Sequence, residues 1–436
     1  MKTKPRILQG FMELLPKDQI LFNEMMDQIR RVYESFGYLP LDTPILEYSD
    51  VLLAKAGGET EKQIYRFNKG DNDLSMRFDL TVPLARFVSM NAPNLVFPFK
   101  RYQLGKVYRG ERPQKGRFRE FYQCDIDVIG DEILTPLYDA EIPAVIYQIF
   151  TGFKLGKFTI RINNRKVLNG FMNSLNLSCK TADILRVIDK IEKISSRDLN
   201  IELKNLNVTN KDVDQILSFI NTKGSNAEII KKLKALKIDN EMFSEGINEL
   251  ELVINGIKSF NIPEEYLRID LSIARGLDYY TGTVYETKLD SNPEIGSICS
   301  GGRYDDLAGY YTDKKYPGVG ISIGLTRLFF VLKEKGLINN ETNTLTKVVI
   351  IPMDNTNLDY ALKLATYLRD CDINSDINFI AKGIKQKIKY ADRLGVKYIA
   401  IIGEDEEKNN TVTIKNMLNG EQKTVSFDNS AKIIKE

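Results

Sequence analysis

The chain has 436 residues and contains neither histidine nor tryptophan. Without an imidazole there is no histidine base, which removes the Ser-His-Asp and Cys-His systems and most zinc hydrolases. What is left is chemistry whose nucleophile is already charged or is activated by position, and phosphoryl-type transfer is the main such class. Cysteine is scarce as well. Cys124, Cys179, Cys299 and Cys371 stand far apart with no CxxC pair, so neither a disulfide framework nor a resident metal site is expected. No run of about 18 apolar residues occurs, and the opening MKTKPRILQG lacks the apolar core of a signal peptide, so the expected location is the cytoplasm, with no membrane partner. A bias of charge is also missing: 61 Lys+Arg against 59 Asp+Glu leave +2, so any affinity for nucleic acid has to come from local patches. The remainder, 43% hydrophobic and 28% charged, is ordinary for a globular chain long enough for two or three domains.

The most informative stretch is residues 99–128, FKRYQLGKVYRGERPQKGRFREFYQCDIDV. Two alternating runs, 101–109 and 117–128, flank the turn-forming GERPQKG and predict a long hairpin. Side chains alternate along a strand, so Arg117, Arg119, Phe121, Gln123, Asp125 and Asp127 share one face, while Phe118, Tyr122, Ile126 and Val128 turn to the core. Arg109 joins the first set from the facing strand. Such a face suits a triphosphate, a base and a small zwitterion; taken alone it reads more readily as an exposed, salt-bridged surface.

Elsewhere, Leu21, Met25, Ile29, Val32, Tyr33 and Phe36 recur at helical spacing before Gly37. Residues 76–88, MRFDLTVPLARFV, place Asp79 and Thr81 on one side of an extended run, or else DLT caps a helix. From 166 to 263 Lys, Asn, Ile and Leu dominate at helical spacing, which predicts an inserted helical module. Strand-like alternation returns at 266–289, where Gly276 and Gly282 bracket a turn that would set Arg275, Asp278, Tyr279 and Tyr280 near the neighbouring sheet. In YPGVGISIGLTRLFF a strand bearing Gly318, Gly320 and Gly324 runs into a helix, with Arg327 in its first turn, a place that favours anions. Beyond a polar linker at 337–346, residues 347–436 alternate strands and helices into a small α/β domain. One of its helices, with the following turn, concentrates Lys382, Lys385, Lys387, Lys389, Arg393 and Lys397 against Asp392 alone.

Together these stretches resemble a class II aminoacyl-tRNA synthetase. RGLDYYTGTVYE at 275–286 looks like the signature of the histidyl-tRNA synthetase family, YRGERPQKGRFREFYQCDIDVIG its second class motif, GVGISIGLTRL its third, and the Pro44 region its first. The resemblance spans nearly the whole chain. It implies an α+β fold: an antiparallel six-stranded catalytic sheet flanked by helices (1–165 and 264–336), a helical insertion at 166–263, the 337–346 linker, and an anticodon-binding α/β domain at 347–436. It implies a homodimer acting on L-histidine, ATP, Mg²⁺ and histidine tRNA. A regulatory paralogue of ATP phosphoribosyltransferase, which binds histidine as a signal, resembles the same core and is the competing reading.

Carried onto this chain, the resemblance has Arg109 hold the ATP α-phosphate, Arg275 sit by the histidine carboxylate and that phosphate, and Phe121 stack on adenine. Arg327 contacts the γ-phosphate, and Arg117 and Arg119 complete the ATP set. Asp79, Thr81 and Gln123 take the α-ammonium of histidine. Asp127 and Tyr280 grip its imidazole, with Tyr279 nearby and Asp125 sharing the facing of Asp127. Arg112 and Gln114 reach the tRNA acceptor end, and Lys385 and Lys389 meet the anticodon arm.

Overall fold

A computed structural model describes residues 2–54, 59–112, 116–191, 194–273, 280–306, 308–340, 343–380 and 383–435. The chain divides into two compact units, Met1–Met12 with Met25–Leu337 and Glu13–Glu24 with Ile338–Glu436. In chain order the first unit contains strands β1 (Leu39–Pro40), β2 (Leu46–Tyr48), β3 (Arg66–Lys69), β4 (Asn72–Met76), β5 (Phe99–Tyr108) and β6 (Glu120–Ile129). These are followed by β7 (Phe158–Asn164), β8 (Leu267–Ile269), β9 (Thr283–Leu289), β10 (Cys299–Tyr304) and β11 (Gly318–Gly324).

Eight of these strands make one sheet in the order β1-β5-β6-β11-β10-β9-β7-β8. Its six central strands are antiparallel throughout, as the resemblance implies. Two short edge strands extend it in parallel, β1 on β5 and β8 on β7. They are additions to the expected six. β2, β4 and β3 form a separate three-stranded sheet.

The period-two pattern of 120–129 is realised across this sheet. Cys124, Ile126 and Val128 are fully buried on one face, where the Tyr33 hydroxyl donates to the Cys124 carbonyl at 2.9 Å. Gln123, Asp125 and Asp127 occupy the other face. The helix Leu137–Phe153, which carries Pro143, covers the sheet with nine buried residues, among them Val145, Ile149 and Phe150. Where β10 meets it, the buried Arg303 forks onto Asp139, with Nη2 2.6 Å and Nε 3.0 Å from the carboxylate oxygens.

The hairpin departs from expectation at its open end. The second strand begins at Glu120, so Arg117 and Arg119 precede it. The Arg119 carbonyl accepts from the Arg109 amide at 2.9 Å, while its own amide donates to the Gly10 carbonyl at 2.7 Å. A distant segment therefore takes the backbone out of alternation. Residues 76–88 also differ from the extended reading: Thr81–Asn91 is a helix, and Asp79 caps it by accepting from the Val82 amide at 3.0 Å.

In the second unit, β12 (Val348–Pro352), β13 (Ser375–Ile377), β14 (Tyr398–Ile402), β15 (Thr411–Asn416) and β16 (Gln422–Ser426) form a sheet in the order β13-β12-β14-β15-β16. The first three strands are parallel and the last two antiparallel to their neighbours. Val348, Ile350, Ala400 and Ile402 pack under the helix Leu358–Asp370 on one face. Val349, Ile351 and Ile399 pack with Ala391 of the helix Ile384–Leu394 on the other.

Candidate active site

Above the polar face of β6 lies a cavity of about 440 Å³. Along that strand Phe121, Gln123, Asp125 and Asp127 succeed one another, spanning about 20 Å at ~3.3 Å per residue. The ends differ in charge. Near Phe121 stand Arg109, whose guanidinium lies 5.1 Å from the ring centroid, Arg117 and Arg327. Near Asp127 the lining is acidic and tyrosine-bearing, with Asp125, Tyr280 and Tyr304.

Each of these side chains is held by an identifiable element. The Arg109 Nε donates to the Phe78 carbonyl at 3.0 Å, just before the capped helix that presents Asp79 and Thr81 to the cavity. Arg327 sits in the first turn of Leu325–Glu334, as expected, and its Nη2 donates to the Ile295 carbonyl at 2.8 Å. That helix is tied to β6 where the Tyr122 amide donates to Thr326 Oγ1 at 2.8 Å. Gln123 is oriented by its Nε2, which donates to Ser322 Oγ at 2.6 Å.

Beneath the acidic end lies an arginine that no accessible surface reaches. Arg101 of β5 is 0% exposed, stands opposite Asp127 in register, and places Nη2 2.6 Å from Asp127 Oδ2 and 3.3 Å from the Leu80 carbonyl. The Tyr304 hydroxyl donates to Asp127 Oδ1 at 2.6 Å. Gly320 faces this carboxylate: a Cβ there would meet Asp127 Oδ1 at 2.2 Å and the Ile126 carbonyl at 2.3 Å. Gly320→Ala is therefore expected to cost about 1–3 kcal/mol by overpacking, read as a lowered urea midpoint.

Three acceptor oxygens in the lining are buried without a hydrogen-bond partner: Asp79 Oδ2, Gln123 Oε1 and Asp125 Oδ1. Burial raises the Asp79 carboxyl, opposed by the Val82 amide and Arg109. Burial also pushes Asp125 up to about 7 and Asp127 up to about 6, with Arg101 opposing in both cases and Tyr304 helping to hold Asp127 down. A carboxyl raised above its unfolded value binds its proton more tightly in the native state, so its contribution favours folding at low pH and is lost as pH rises from about 4 through 7. Asn does not titrate. Relative to the parent chain, Asp125→Asn should therefore gain stability as pH rises across that window and level off above it, as measured by unfolding without ligands.

This layout, with arginines and an aromatic ring at one end and unpaired buried acceptors at the other, suits a nucleotide beside a small amine-bearing molecule. The histidyl-tRNA synthetase profile matches residues 10–328, and an anticodon-binding domain profile matches 347–436. The chain belongs to the histidyl-tRNA synthetase family. It is 56% identical over 434 residues to the histidine–tRNA ligase of Clostridium tetani, covering 99% of this chain and 98% of that one. It is 47% identical over 428 residues to that of Clostridium acetobutylicum, covering 98% and 99%. The crystal structure of histidyl-tRNA synthetase from Nostoc sp. PCC 7120 superimposes with a TM-score of 0.91 at 41% identity, covering 100% of this chain and 99% of that one. The regulatory-paralogue reading has less support, because the relatives are ligases and the anticodon-binding domain is present.

Of the residues singled out from sequence, Asp79, Thr81, Arg109, Arg117, Phe121, Gln123, Asp125, Asp127, Tyr280 and Arg327 line this one cavity. Arg119 does not; its Nε donates to the Glu111 carbonyl at 3.1 Å, because it lies ahead of the strand whose alternation would have turned it inward. Phe118, expected in the core, touches the cavity and meets Phe330 edge-on at 5.3 Å. Arg117 is exposed and lies 3.2 Å from Glu111. Arg112 is exposed on the hairpin loop, whereas Gln114, Arg275 and Tyr279 lie outside the described residues. In the second unit Lys385 and Lys389 are exposed, but Lys387 turns inward and donates to the Pro352 carbonyl at 2.6 Å.

Sequence reasoning passed over Arg101, Tyr304 and Glu286. Glu286 is 5% exposed on the cavity wall, 3.6 Å from Arg161 and 3.4 Å from Lys288. The available signal was strand alternation, which puts Arg101 of β5 in register with the face of β6 already judged functional.

Proposed function

We infer that this chain is a histidine–tRNA ligase: it joins L-histidine to ATP, giving histidyl-adenylate and pyrophosphate, and then transfers histidine to the 3′ end of its tRNA with release of AMP. The observation that carries this reading is the pairing, in one cavity, of Arg109 and Arg327 beside Phe121 with the three unpartnered acceptors of Asp79, Gln123 and Asp125. A ligand with an ammonium and a ring N–H completes those acceptors, and a nucleotide triphosphate suits the arginine end.

The substrate carboxylate is ionised at neutral pH and needs no base to attack the α-phosphorus, so a chain without histidine can run the reaction by positioning and charge. Adenine stacks on Phe121. Arg109, with Arg275, stabilises charge building on the α-phosphate, and Arg327 takes the γ-phosphate. Arg117 borders the triphosphate. Asp79, Thr81 and Gln123 receive the α-ammonium, and the imidazole lies between Tyr280 and the Asp125–Asp127 pair. A site built to hydrogen-bond a polar ring rejects analogues lacking it by about 10⁴–10⁵.

Among the described residues no cluster of three or more Cys, Asp or Glu forms a metal cage. Mg²⁺ is usually held by one or two carboxylates plus substrate phosphates. Glu111 and Glu286 in the lining are the side chains that would share it. Held there, Mg²⁺ would supply positive charge against the leaving pyrophosphate.

In the same reading Arg112 and Gln114 meet the acceptor end of tRNA, the 166–263 helices lie along the acceptor stem, and Lys385 and Lys389 contact the anticodon arm. The chain works as a homodimer in the cytoplasm; no helix among the described residues is long and apolar enough to cross a membrane. Exchange of labelled pyrophosphate into ATP tests the reading. It should depend on L-histidine and on no other standard amino acid, and histidine-independent exchange, or none, would refute it.

A further inference from the structure

At the end of β7 two adjacent asparagines, Asn163 and Asn164, are each 0% exposed. A side-chain amide taken out of water is costly unless its groups are paired. Asn163 spends its donors on one stretch of chain: Nδ2 donates to the Leu271 carbonyl at 3.3 Å and to the Ile273 carbonyl at 3.1 Å. Those carbonyls lie past the end of β8, where the chain leaves the sheet after the Asp270 amide has donated to the Ile162 carbonyl at 2.9 Å. Just beyond the asparagines, the Arg165 amide donates to the Gly282 carbonyl at 2.8 Å. Residues 163–165 therefore hold the chain on both sides of 274–279. Ile273 and Tyr280, which flank that stretch, both line the cavity, whereas Asn163 does not. The far side is closed by β10: the Thr281 amide donates to the Arg303 carbonyl at 2.8 Å, and a Cβ at Gly282 would meet Arg303 Cδ at 2.8 Å.

Asn164 engages the helices that open and close the 166–263 stretch. Its Oδ1 accepts from the Lys166 amide at 2.8 Å, capping the helix Arg165–Ser174, and its Nδ2 donates to Glu249 Oε2 of the helix Glu241–Ser259 at 2.9 Å. Lys166 Nζ lies 2.7 Å from the other oxygen of Glu249. These helices touch backbone to backbone: a Cβ at Gly170 would meet the Phe243 nitrogen at 2.5 Å, and one at Gly246 the Val167 nitrogen at 2.6 Å. The Asn163 Oδ1 accepts from the Asn164 amide at 2.8 Å, so the two asparagines form one unit between cavity wall and helix pair.

We propose that Asn163 is a positioning residue for the cavity wall, holding Ile273 and Tyr280 where histidine meets them, and that Asn164 with Glu249 braces it against the helix pair. This rests on the ligase reading. Asn163 acts through the two carbonyls it holds, and Glu249 acts through Asn164.

The test is histidine-dependent pyrophosphate exchange by the full-length chain. Asn163→Asp puts an acceptor where two carbonyls need a donor; Asn163→Ser, smaller and too short to reach both, serves if the buried charge prevents folding. Either should raise KM for histidine about tenfold or more, the scale of a small misplacement in a binding site. KM for ATP should stay within twofold, because Arg109, Phe121 and Arg327 stand on other elements. Glu249→Gln keeps an acceptor for Asn164 and should leave KM for histidine within twofold, whereas Glu249→Leu removes it and should raise that constant about fivefold, the scale of one hydrogen bond. The proposal is overturned if a folded Asn163 variant keeps its histidine KM within threefold of the parent, whatever its urea midpoint, or if the constants for histidine and ATP rise together. Equal histidine KM values for the two Glu249 variants would overturn the bracing role. Absence of histidine-dependent exchange in the parent chain would instead refute the ligase reading itself.

Discussion

Arg109→Gln is expected to lower kcat for histidine-dependent pyrophosphate exchange by about 10²–10³, the usual consequence of removing one preorganised donor from a developing anion. The side chain is half-buried at the end of β5, anchored by its Nε on the Phe78 carbonyl at 3.0 Å and set over Phe121 at 5.1 Å. Glutamine keeps a donor of similar reach and removes the charge. If the guanidinium acts on the α-phosphate, the loss falls on kcat, since negative charge there is greatest in the transition state. KM for histidine should change little, because in the proposed reading the buried acceptors of Asp79, Gln123 and Asp125, and not Arg109, receive that substrate. A variant with normal kcat and a raised KM for ATP would show that Arg109 binds nucleotide without stabilising the reaction.

The second large effect is on stability. Arg101→Leu should cost about 3–5 kcal/mol, as expected when one partner of a buried ion pair is removed and the other left uncompensated. Arg101 is 0% exposed and Asp127 3%, so neither charge is repaid by water. Asp127 would keep only the Tyr304 hydroxyl, and Asp79 and Asp125 would lose the buried positive charge that opposes their neutralisation. Adding Asp127→Asn should recover part of the loss, and the coupling can be read from the four urea midpoints of a double-mutant cycle. Full additivity of the two changes would contradict a working pair.

Much of this site is visible in the amino-acid order because β6 alternates cleanly. A period of two separates Ile126 and Val128 from Asp125 and Asp127 whatever the rest of the sheet does. The helix bearing Arg327 is similarly local, announced by the glycines before it. What could not be read depends on distant partners. Arg119 leaves the pattern because its amide meets the Gly10 carbonyl, more than a hundred residues away in sequence. Arg101 and Lys387 look like surface charges until strand register and helix packing bury them against Asp127 and the Pro352 carbonyl. Asp79 was ambiguous for a different reason: capping a helix and binding an ammonium both need a carboxylate, and here Oδ1 takes the Val82 amide while Oδ2 remains unpartnered.

The central claim is that nucleotide and amino acid lie end to end along one strand, sorted by its change of charge. A crystal structure with ATP and L-histidinol, which keeps the amine and the imidazole but cannot react, tests this most directly. It should show adenine on Phe121, the triphosphate between Arg109 and Arg327, and the imidazole between Tyr280 and the Asp125–Asp127 pair. Histidinol bound outside this cavity, or the two ligands in the reverse order along β6, would contradict it.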